Sequence, residues 1–111
     1  SSFKTLNNIY VSNSELNSYS NLITETEKAM ENYVEFHTFE SIDTYFSNIN
    51  QIQLHCEEMN NNPSTNVILQ KEFIVYQLSN SFIYFSGKTI ASRRANNFAE
   101  IEDSYNKTRN C

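Results

Sequence analysis

At 111 residues the chain has the length of one domain, and eight Phe and seven Tyr within a 39% hydrophobic composition give it too much bulky apolar material for disorder. One Gly and one Pro cannot supply the repeated turns of an all-β fold or the glycine-rich loop of a phosphate site. Thirteen acids against eight bases, a formal charge of −5, oppose nucleic acid and anionic lipid as partners.

Residues 1–12 carry Phe3, Leu6, Ile9 and Tyr10, and are expected to dock on the body of a single domain spanning 1–111. Ser12 or Ser14 can cap a first helix over residues 14–36. Leu16, Tyr19, Ile23, Thr26, Met30, Tyr33 and Val34 fall in one stripe of it, while Asn17, Asn21, Thr24, Glu25, Lys28, Glu31 and Glu35 take the other side. Thr38 can cap a second helix to about Asn60, with Phe39, Ile42, Tyr45, Phe46, Ile49, Ile52, Cys56 and Met59 inward. The run from Asn60 to Pro63 breaks the chain.

From Asn66 to Ser86 the apolar residues surround a helical wheel and form no stripe. This fits a central helix covered on most faces, or a hairpin with strands at Phe73 to Leu78 and Phe82 to Phe85. The uncharged stretch 73–86 is too short to span a bilayer. Gly87, the only glycine, falls where a helix would stop. A last helix from about Thr89 to Lys107 then presents Ile90, Ala91, Ala95, Phe98, Ile101 and Tyr105 on one side, with Arg94 interrupting that stripe. Arg94 either snorkels to the boundary or pairs with a carboxylate.

The expected fold is all-α: an up-down four-helix bundle closed by one disulfide, the alternative being three helices plus a β-hairpin at about 73–86. Cys56 and Cys111 carry the closure, because in an alternating bundle the second and fourth helices end on the same side. An even cysteine count suits a bridge and an oxidising compartment, which points to a periplasmic or secreted setting. The competing reading is two free thiols in a reducing compartment. The chain opens at Ser1 without a signal-peptide pattern, as a processed product would.

Catalytic groupings are scarce. His37 and His55 belong to no two-histidine metal motif, no nucleophile elbow is present, and no cofactor is implied. Asn106-Lys107-Thr108 fits the N-glycosylation pattern, a match expected by chance in a chain with seventeen Asn. Glu27, Glu31 and Glu35 form an acidic row on the first helix, where like charges at four-residue spacing repel. The row either meets a basic partner, pairs with bases of the last helix, or is a plain solvated face. Partner-binding candidates are therefore Glu27, Glu31, Glu35 and Arg94.

The functional expectation is a non-enzymatic protein-binding domain, monomeric or homodimeric: an exported immunity or inhibitor protein that neutralises a toxin or enzyme. The alternative is an accessory helical component, pilot- or chaperone-like, of an envelope or secretion assembly, which predicts an exposed apolar groove. An enzyme with a site outside known motifs is the third reading.

Overall fold

The computed structural model describes residues 14–61 and 66–111, with side chains over 18–57 and 77–111. The expected docking segment 1–12 lies outside the described residues. Four helices follow one another: α1 (Ser14–Phe36), α2 (Phe39–Asn61), α3 (Asn66–Arg94) and α4 (Phe98–Arg109). The fold is all-α, and no strand occurs among the described residues.

Local chemistry sets the helix ends. α1 stops because His37 turns into the left-handed region at φ 55°, and its N–H donates to the Tyr33 carbonyl at 2.8 Å. Histidine is among the few residues enriched there. Only His37 and Thr38 separate α1 from α2, so the two helices must pack antiparallel. Thr38 caps α2 as expected, accepting the Ser41 N–H at 3.3 Å.

The segment from Phe73 to Phe85 belongs to one 29-residue helix and is not a hairpin. Its all-round apolar character follows from its place: α3 packs against α1, α2 and α4, whereas among the described residues α2 and α4 do not pack on each other. Gly87 does not end it either. The helix runs on to Arg94, since burying Thr89 and Ile90 outweighs the roughly 1 kcal/mol that a mid-helix glycine costs. The stop is Asn96 at φ 54°, with Asn96 N–H donating to the Arg93 carbonyl and Asn97 N–H to the Ser92 carbonyl, a Schellman closure. Asn97 then caps α4 by accepting the Glu100 N–H. The expected last helix from Thr89 to Lys107 is thus divided between the end of α3 and α4.

A methyl group at Gly87 would meet only the Tyr45 hydroxyl at 3.8 Å, an ordinary contact, and the backbone there is not left-handed. Gly87→Ala is therefore expected to stabilise the fold by about 0.5–1 kcal/mol. A lower urea midpoint for the variant would show that the helix is not continuous through this position.

Buried residues alternate at three- and four-residue spacing in every helix. The seams are Tyr19, Ile23, Thr26, Met30 and Tyr33 on α1; Ile42, Tyr45, Ile49, Ile52 and Cys56 on α2; Ser79, Phe82, Ser86 and Thr89 on α3; and Ile101, Ser104, Thr108 and Cys111 at the chain's end. This is the knobs-into-holes period of nearly parallel or antiparallel helices. On α3 small hydroxyls receive long rings from its neighbours: Tyr19 of α1 hydrogen-bonds Ser79, and Tyr45 of α2 meets Ser86 at 2.7 Å. Other buried hydroxyls turn back to their own helix, Thr26 to Leu22 and Thr108 to Ser104, while Ser104 donates to the Glu100 carbonyl and accepts from Thr89 of α3 at 3.0 Å.

The disulfide expectation is overturned. Cys56 and Cys111 are both buried free thiols. Cys56 lies 3.6 Å from the Tyr19 hydroxyl, whereas the Cys111 thiol donates to the Lys107 carbonyl of its own helix at 3.3 Å. The physical reason is the packing of α1 directly on α3. That contact, with the Tyr19 and Ser79 hydroxyls joined across it, separates α2 from α4 and holds the two sulfurs apart. The short α4 also stops partway along the molecule: Cys111 lies near Glu27, midway along α1, whereas Cys56 lies beside Tyr19 near its start, so the two sulfurs do not reach the same end. Thiol titration after unfolding without reductant is expected to find two reactive groups, and reductant should leave the melting temperature unchanged. A midpoint lowered by reductant would contradict the packing described.

Candidate functional site

The sequence places charge very unevenly between the two helical pairs. Residues 14–61, which form α1 and α2, hold nine acids and one base, a net of −8; residues 66–111, which form α3 and α4, hold four acids and six bases, a net of +2. Tertiary structure leaves this imbalance standing, because bases of the α3–α4 half are engaged within that half. Lys107 pairs with Asp103 at 3.0 Å and Lys88 with Glu100 at 3.9 Å. Lys88 also lies over the Tyr84 ring, and Arg109 over the Tyr105 ring.

Arg93 crosses between halves, and its hydrogen bonds go to a carbonyl and an amide oxygen instead of a carboxylate. Its Nε donates to the Val34 carbonyl at 2.9 Å and its NH1 to Asn96 Oδ1 at 2.6 Å. Val34 lies in the last turn of α1, where carbonyls lack helical partners, so the guanidinium closes two helix ends at once. Arg94, the residue singled out from sequence, is exposed beside it. Its apparent place in an apolar stripe came from reading one helix across the break at Ala95–Asn97.

The acidic row divides by register. Glu27 and Glu31 are half-buried on the side of α1 toward α4. The Tyr105 hydroxyl of α4 hydrogen-bonds Glu31, and burial first, then the Glu31 carboxylate, pushes that hydroxyl above its ordinary pKa. Burial likewise raises the Cys111 thiol, with a smaller contribution from the Glu27 charge. Glu35, one turn further, is exposed. Glu31 is thus taken up in joining α4 to α1, and of these three Glu35 is the one fully presented outward.

A second acidic surface was not singled out by the four-residue spacing. On the outer side of the hairpin, Glu25, Lys28, Ala29, Asn32 and Phe36 of α1 face Thr38, Glu40, Ser41 and Thr44 across an open groove of about 350 Å³. Ala29 is buried at its base, while Phe36 keeps 62% of its surface exposed. Glu40 and Asp43 are exposed alongside. The signal was in the sequence, since positions 25, 28, 29, 32 and 36 share one helical face, but their polar composition reads as ordinary solvated surface.

Phe39, Phe46 and Phe98 were expected on inner faces and are instead exposed, at 82%, 46% and 73%. Phe39 and Phe98 are the first residues of their helices. The Arg93–Val34 bond brings the ends of α1 and α3 together, so Phe36, Phe39 and Phe98 all lie at one end of the molecule.

The histidines form no site with them. His37 leans on Tyr33 with ring centroids 4.9 Å apart, and His55 meets the edge of Tyr19 at 5.6 Å. Among the described residues no three His, Cys, Asp or Glu side chains converge to hold a metal, and no helix is long and apolar enough to cross a membrane. The Asn106-Lys107-Thr108 pattern lies inside α4 with Thr108 fully buried. The described surface presents an acidic half, a groove and exposed rings. Compared with protein-family models, curated proteins and solved structures, this chain matches no family, no curated relative and no known structure.

Proposed function

We propose that this chain is a non-enzymatic protein-binding domain whose α1–α2 half docks a basic protein partner. The observation that carries the reading is the separation of charge into halves of −8 and +2, maintained because bases of the second half are held within it. An excess of like charge on one half lowers stability slightly and speeds the approach of a partner of opposite sign. An inhibitor or immunity role, covering a toxin or enzyme, is the form of binding that a small acidic helical body suits. An exported setting rested on the disulfide and loses that support.

The test is retention of a partner from native extract by the immobilised chain, compared with a variant carrying Glu25→Lys, Glu40→Lys and Asp43→Lys. Retention by the natural chain should weaken with salt, and the variant should bind on the order of tenfold or more weakly, equivalent to about 1.4 kcal/mol or more. Equal, salt-insensitive retention of the same protein by both would remove charge from the explanation.

The exposed Phe36, Phe39 and Phe98 favour a second reading, an accessory helical component that assembles through this apolar end. It predicts self-association in sedimentation at rising concentration that Phe39→Ser abolishes.

A further inference from the structure

The acidic half presents two surfaces, the α4-side row of Glu27, Glu31 and Glu35 and the outer groove between α1 and α2. They are not equivalent. Glu31 on the first is bonded to Tyr105, so a partner docking there would have to break a contact that joins α4 to α1. The groove needs no such rearrangement. Its walls are carboxylates from both helices, Glu25 and Glu40, its base is the small side chain of Ala29, and one end is the exposed ring of Phe36.

We infer that this groove is where the partner of the proposed reading docks, and that the occupant is a basic amphipathic helix. The apolar face of such a helix would rest on Phe36 and Ala29, while an arginine or lysine on its edge would lie between Glu25 and Glu40. The charge of the surroundings chooses the sign of the occupant, since the hairpin carries nine acids and one base. That single base, Lys28, lines the groove itself and orients the docked helix by repelling a cation placed over it. A volume of about 350 Å³ accommodates one or two large side chains, the usual scale for the anchors of a helix laid in a groove. This inference rests on the protein-binding reading above, and its test separates the two.

The probe is a synthetic 15-residue amphipathic helix with leucines on one face and arginines on both edges, titrated into the isotope-labelled full chain. Amide resonances of Ala29, Asn32, Phe36 and Ser41 should move together and saturate. Glu25→Gln with Glu40→Gln should weaken binding by about five- to twentyfold without changing the melting temperature, and Lys28→Gln should strengthen it. The same peptide with glutamates in place of arginines should not bind. If the arginine peptide binds but its shifts map to Glu35 and α4, the groove assignment fails while the protein-binding reading stands. If it does not bind at all, the groove assignment fails, while the protein-binding reading is decided by retention of a partner from native extract. If the glutamate peptide binds equally well, the groove takes apolar helices without regard to charge and the basic occupant is wrong.

Discussion

Replacing Phe82 by alanine is expected to cost about 3–5 kcal/mol, enough to unfold much of the population of a domain this size. Phe82 is 1% exposed near the middle of α3, and its seam neighbours Ser79 and Ser86 are small and already engaged by Tyr19 and Tyr45. Neither serine is long enough to collapse into the space, and Leu78, Ile83 and Phe85 are already packed against the core, so most of the cavity persists and its cost is felt. Urea unfolding measures this, with Phe39→Ala as the control. Phe39 is 82% exposed, and its truncation should change stability by less than about 0.5 kcal/mol. A Phe82→Ala cost below about 1 kcal/mol would mean that α3 does not occupy the centre.

Alkali should unfold this protein steeply. Burial raises the Tyr45 hydroxyl above its ordinary pKa of 10.0, the Ser86 hydrogen bond offsetting only part of the rise, and burial raises Tyr19 still further. Both rings therefore keep their protons in the fold at a pH where unfolded tyrosine loses them. Below pH 10 the two states bind protons alike and stability is level in this respect. Above it the unfolded state binds fewer, and stability falls by about 1.4 kcal/mol per pH unit for each ring until the folded hydroxyl itself ionises. Tyr45→Phe and Tyr19→Phe should each remove one ring's share of the slope above pH 10. An unchanged slope in both variants would show that these hydroxyls ionise without unfolding.

Much of the helical layout was legible because it depends on neighbours close in sequence. The stripe from Tyr19 to Tyr33, the cap at Thr38 and the seam from Ile42 to Cys56 follow from period and from local hydrogen-bonding chemistry. Gly87 misled for an equally local reason. Glycine is the usual residue just past a helix end, yet here Asn96 takes the left-handed turn while Gly87 sits mid-helix near the Tyr45 hydroxyl. Phe98 misled because it was counted with Ile90 and Ala91 on one continuous helix, whereas the break at Ala95–Asn97 makes it the exposed first residue of α4.

The candidate site was half legible. Charge asymmetry is a property of composition and could be counted, but which carboxylates face a partner depends on which helix lies beside which. Glu27, Glu31 and Glu35 look alike along α1, and the approach of Tyr105 from α4 is what distinguishes Glu31 from Glu35.

The amino-acid order by itself determined that this chain is helical, where α1 and α2 run, and that its acids gather in one half, because periodicity, capping and charge are set within a few residues of each other. Tertiary structure alone decided that residues 73–86 continue a central helix, that Cys56 and Cys111 stay apart, and that an acidic groove opens between α1 and α2. Each of those depends on α1 packing against α3 between α2 and α4, a choice made by side chains such as Tyr19 and Ser79 that are distant in sequence and meet only when the core closes.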